Sequence, residues 1–92
     1  MKPQEAFAKA RQNGFTEELQ EIACQENWSA FYFAKHVVGA DITKCQQAAC
    51  RYSYFAMRFA EVVPGADIEY CKQYMGEFLD PYLKGMMARA LK

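Results

Sequence analysis

The 92-residue sequence predicts an all-α fold: a short α-solenoid of helical hairpin repeats with about seven short helices. Three observations lead there. The sequence repeats itself at an interval of 26 residues. The apolar residues of each repeat fall at helical i, i+3, i+4 spacing. Glycine and aspartate recur where one helix would stop and the next begin. A hydrophobic content of 52% is enough for a core and argues against disorder.

The repeat shows best in the second half. Residues 33–49 read FAKHVVGADITKCQQAA and residues 59–75 read FAEVVPGADIEYCKQYM, with nine of 17 positions identical and no gap. Phe7-Ala8-Lys9 extends the match toward the N-terminus, so that Phe7, Phe33 and Phe59 hold one repeat position. The chain is therefore read as a single domain, 1–92. It divides into units 2–27, 28–53 and 54–79 and a C-terminal capping helix at 80–92. Such units cannot bury their apolar faces alone and must pack on neighbours.

In the first unit, Asn13 stands where later units have glycine, and it is the next best residue for a left-handed cap. Phe15 replaces the later aspartate, which moves the cap of the following helix to Thr16, with Glu17 and Glu18 in its first turn. In the second unit a helix spans Trp28 to Val38, with Phe31, Ala34 and Val38 on one stripe and Ala30, Phe33 and Val37 beside it. Gly39 is placed at the helix C′ position and Asp41 caps the next helix, which carries Ile42, Cys45, Ala48 and Ala49. The third unit repeats this with Pro64-Gly65, Asp67, Ile68, Cys71 and Met75. Asp80-Pro81 reads as an N-cap followed by proline at the first helical position, opening a last helix to about Leu91. Helices of roughly 9–12 residues are expected throughout.

Eleven basic and eleven acidic residues cancel, which weighs against general nucleic-acid binding. The total hides a pattern: the three units carry −2, +2 and −2, and the tail +2. No apolar run approaches the roughly 20 residues that span a bilayer, and the first residues do not resemble a signal peptide.

Cys24, Cys45, Cys50 and Cys71 are separated by 21, 5 and 21 residues, with no C-x-x-C motif. Cys24 and Cys50 are repeat equivalents, as are Leu19, Cys45 and Cys71. A position that takes leucine or cysteine is an apolar packing site, and packing is preferred here to a disulfide, metal or redox role. Cys45 and Cys50 lie on different faces of one helix and are not expected to pair with each other. The usage suits a reducing cytoplasm. His36 aligns with Ala10 and Val62, and no Ser or Cys lies within one turn of it to form a nucleophile pair. No catalytic residue, cofactor or metal ligand is expected.

Aromatic residues make up 15%, and several break the repeat. Tyr32 aligns with Arg58, and Tyr52 with Glu26. Tyr70 and Tyr74 stand where the first two units have Glu18 with Ile22 and Lys44 with Ala48. Positions that vary between repeats are not fixed by stacking, and Tyr and Arg there are hot-spot residue types. With the basic middle unit (Lys35, His36, Lys44 and Arg51), these residues form the candidate partner-binding set. The plainer reading is tyrosines covering a thin stack and a solvated charge pattern. On the last helix Tyr82, Leu83, Met86, Met87 and Leu91 form an apolar stripe that could pair two copies end to end.

The second and third units resemble a short helical repeat of phage and bacterial proteins with the pattern F-A-x-x-V-x-G-A-D-I-x-x-x-Q. The matching residues are Phe33, Ala34, Val37, Gly39, Ala40, Asp41, Ile42 and Gln46, and then Phe59 through Ile68. The resemblance implies an α-solenoid without assigned catalytic residues, in a mobile-element setting. The expected function is an accessory protein that binds and blocks a host complex, such as a CRISPR effector or another defence system. The alternatives are a nucleic-acid partner held by Lys35, Lys44, Arg51 and Arg58, and a redox or enzymatic role for Cys45, Cys50 or His36.

Overall fold

The computed structural model describes residues 1–90, which form seven α-helices, a 3-10 turn and no strand. They are α1 (Pro3–Asn13), α2 (Glu17–Ala23), α3 (Asn27–His36), α4 (Ile42–Ala49), α5 (Ser53–Val62), α6 (Ile68–Lys72) and α7 (Leu79–Ala90), with the 3-10 turn at Gly76–Phe78. The consecutive pairs α1–α2, α3–α4 and α5–α6 are hairpins, and α1 packs on α3 as α3 packs on α5. The body measures 41 × 25 × 16 Å, with a radius of gyration of 13.5 Å. A chain of this length packed into a round globule would give about 12 Å. The excess follows from laying hairpins side by side.

The turn chemistry differs from expectation by small, physical amounts. Gly39 has φ +95° and Gly65 φ +84°, but the helices before them have already ended. Val37 and Val63 are the C-caps, in extended conformation. Ala40 N–H then donates to the Val37 carbonyl, and Ala66 N–H to that of Val63. Each glycine is thus the third residue of a four-residue turn, the position where a type II turn needs positive φ. Once Val37 is extended, the next side chain is thrown outward. Val38, expected on the core stripe, is 93% exposed. The aspartate caps form as expected: Asp41 accepts from Lys44 N–H at 3.2 Å and Asp67 from Tyr70 N–H at 3.1 Å.

The first hairpin corrects the alignment. Thr16 does cap α2, accepting from Leu19 N–H at 3.1 Å. But Asn13 remains helical, and it is Gly14 that takes positive φ. The connection is residues 14–16, against 37–41 and 63–67 in the later hairpins. A link two residues shorter pulls α1 two residues out of the 26-residue register. Ala6 and Ala10 are therefore the buried pair that matches Ala30 and Ala34. Phe7 does not share the position of Phe33 and Phe59, which are fully buried, and lies half-buried on the side of α1. Phe15 fills the space instead, edge-on to Phe33 at 6.2 Å and close against Gly39.

The second helices are shorter than expected, at seven, eight and five residues. A 26-residue unit with a five-residue turn and a three-residue link leaves eighteen residues for two helices. At the C-terminus α7 starts at Leu79, directly after the 3-10 turn. Asp80 and Pro81 are therefore inside its first turn, not at the cap and first position. Proline is tolerated there because that backbone N–H would have no helical partner. Tyr82 is buried, whereas Leu83, Met86 and Met87 are exposed. Leu91 lies outside the described residues.

Candidate functional site

The candidate residues separate onto two faces of the stack. One face is built on the first helices of the hairpins. Tyr32 and His36, one turn apart on α3, lie ring over ring with centroids 6.0 Å apart and planes 6° apart. Phe7 from α1 abuts both, at 6.0 and 6.1 Å, and Trp28 meets Tyr32 edge-on at 6.2 Å. Arg11 sits over the Phe7 ring at 5.6 Å and Lys35 over Phe31 at 6.0 Å. The two-residue shift of α1 puts Phe7 at this edge. Tyr32, Lys35 and His36 are solvent-facing, so the cluster is an aromatic surface with cations at its margin. Desolvation holds the His36 imidazole below its ordinary value, and the charges of Lys35 and Arg11 add to this. Arg58, on α5, is instead engaged by Glu61 at 3.2 Å.

The other face belongs to the second helices and the links between hairpins. Tyr70 and Tyr74 touch with centroids 5.0 Å apart. Burial raises the Tyr70 phenol, and Tyr74 stays exposed. Lys44 and Arg51 both lie near Cys24 and favour its thiolate. Arg51 also lines an open hollow of about 460 Å³ with Gln25, Glu26, Asn27 and Trp28. Tyr52 is exposed beside Phe55. Tyr32, Lys35 and His36 thus share one surface, Tyr70 touches Tyr74, and Lys44 and Arg51 each lie near Cys24. The full set does not form one patch.

Between these faces runs a polar seam that repeats with the hairpins. Gln20, buried in α2, accepts from Asp41 N–H at 2.6 Å and lies 3.9 Å from Cys45 Sγ. Gln46, buried in α4, accepts from Asp67 N–H at 2.8 Å and lies 3.5 Å from Cys71 Sγ. Each glutamine therefore satisfies the capping residue of the next hairpin's second helix. The cysteines follow the same geometry. Cys24 Sγ is 3.9 Å from Cys45 Sγ, and Cys50 Sγ is 3.7 Å from Cys71 Sγ. All four are free thiols. Cys45 and Cys50 do not meet each other, as expected. The signal for the true pairs was the interval of 21, which occurs twice among the cysteines and again between each Gln and Asp.

No family model, no curated protein and no solved structure matches the chain.

No group of three or more His, Cys, Asp or Glu is placed to hold a metal ion among the described residues. No helix among them is long and apolar enough to cross a membrane. One buried hydroxyl, Ser29 Oγ in α3, has no hydrogen-bond partner.

Proposed function

We propose that the chain is a non-catalytic helical-repeat interaction protein, a short α-solenoid that docks on a protein partner through the face built on α1 and α3. The observation that carries this reading is the stack of Tyr32 on His36, held between Phe7 and Trp28 with Arg11 and Lys35 at its margin. Tyr, Trp and Arg are the side chains that concentrate binding energy at interfaces. Mounted on packed helices, they lose little freedom on binding, so less of the contact energy is offset by ordering. The likeness of the second and third units to phage repeats supports a mobile-element protein that occupies a host complex, with CRISPR effectors and other defence proteins as the partners to try first.

The experiment is capture from a host lysate at low salt, with the native chain and a Tyr32→Ala, His36→Ala double variant compared. A stoichiometric partner retained by the first and lost by the second supports the reading. Failure of the native chain to retain any stoichiometric partner sinks it. A nucleic-acid partner draws less support, because Arg58 is paired with Glu61 and the basic residues do not line one track. The exposed Leu83, Met86 and Met87 of α7 support a second contact, between two copies of the chain.

A further inference from the structure

We propose that Cys24 and Cys45 form an oxidation site, a thiol pair that closes to a disulfide and staples the first hairpin to the second. The geometry repeats, and that repetition is the first argument. Cysteine occurs at the end of the second helix in hairpins one and two (Cys24, Cys50), and each faces a cysteine in the hairpin that follows (Cys45, Cys71). Leu19 stands in the first hairpin where the second has Cys45, and Gly76 follows the third where Cys50 follows the second, so neither repeat position is filled by cysteine outside a facing pair. Every cysteine of the chain is thus in one of two facing pairs. A need for small apolar side chains would be met as well by alanine or leucine, and would not place cysteines two by two across each seam.

The two pairs differ in access. Cys24 is partly exposed at the edge of its seam, whereas Cys45, Cys50 and Cys71 are buried. Cys24 also has two cations near it. A hydrogen bond from the Cys45 thiol lowers its pKa most, and the nearby Arg51 and Lys44 lower it further, against burial and Asp41. The same hydrogen bond, and then burial, hold the Cys45 thiol above its ordinary value, so it waits protonated. A reachable thiol beside a buried resolving thiol is the arrangement that favours exchange over permanent adducts.

The oxidant is a low-molecular-weight disulfide, R–S–S–R. The Cys24 thiolate attacks one sulfur, the S–S bond breaks, and RS⁻ leaves and takes up a proton. Cys45 then gives its proton to solvent and attacks Cys24 Sγ in the mixed disulfide, expelling the second RS⁻. Two protein thiols are oxidised to one disulfide and one small disulfide is reduced to two thiols. The sulfurs, 3.9 Å apart, must close to about 2.05 Å, a movement asked of Cys24 at the C-cap of α2.

The test is incubation of the reduced, full-length chain with glutathione disulfide, followed by rapid alkylation, intact mass and peptide mapping. The expected product has lost two hydrogens, about 2 Da, with Cys24 linked to Cys45, before any linkage of Cys50 to Cys71. A Cys45→Ala variant should accumulate glutathione on Cys24, and a Cys24→Ala variant should leave Cys45 unmodified. Linkage of Cys24 to Cys50 or Cys71, a lasting glutathione adduct on Cys24 of the native chain, or no reaction until denaturant is added would each overturn the proposal. The mapping of the native chain decides the matter even where a variant fails to fold.

Discussion

The two buried glutamines show how a single side chain can hold two hairpins in register. Gln20 and Gln46 each provide the acceptor for a backbone N–H that would otherwise be partly buried and unpaired. Replacing either with alanine strands that N–H, and the expected loss is about 1–3 kcal/mol in a denaturant titration. A loss below the scatter of the method would mean that water substitutes for the amide. Ser29 makes the opposite case. Its hydroxyl is buried without a partner, so Ser29→Ala should be neutral or stabilising, by up to about 1 kcal/mol. At His36 the sign follows from its depressed pKa. The folded chain resists protonation more than the unfolded one, so stability contributed above about pH 6.5 declines as the pH falls toward the folded value. An NMR titration should place the His36 midpoint below 6.5, and His36→Gln should flatten the stability profile between pH 7 and 5.

At the scale of the elements, the turns decide the outcome. Gly39 and Gly65 occupy equivalent turns at positive φ, where a non-glycine residue costs about 1–2 kcal/mol. A Cβ at Gly65 would make an ordinary contact with Ile42 Cγ1 at 4.0 Å, whereas one at Gly39 would lie 3.4 Å from the Phe15 Cβ. Gly39→Ala should therefore destabilise more than Gly65→Ala, and equal melting temperatures would contradict the account. The hairpins were legible in the sequence because their caps are chemical: Asp41, Asp67 and Thr16 announce where a helix starts. The position of α1 was not. The triplet Phe7-Ala8-Lys9 matches Phe33-Ala34-Lys35 by identity, but the shorter link at residues 14–16 moves the helix by two residues and buries Ala6 and Ala10. A gapless alignment has no means of sensing the length of a turn. The glutamine seam was hidden for a related reason. It joins second helices of neighbouring hairpins, and periodicity within one helix cannot report a contact between two.

For the whole molecule, the buried apolar residues form one cluster that runs from Ala6 in α1 to Tyr82 in α7, so the hairpins share their core with their neighbours. The exposed apolar residues of α7 should then express themselves in solution mass. Sedimentation is expected to show a concentration-dependent dimer, which Met87→Lys, at a side chain 65% exposed, should return to a monomer. A constant monomer mass across the concentration range would remove the dimer. The seam carries one more consequence. Gln46 and Cys50 complete the same contacts with the third hairpin that Gln20 and Cys24 complete with the second, whereas Lys72 and Gly76 stand at those places in the third. An in-frame duplication of residues 28–53 would thus meet a matching edge on both sides, and copies could be added one after another without designing a new joint. Growth after residue 79 would meet Lys72 and Gly76, and stop. The chain is extensible in its middle and closed at one end.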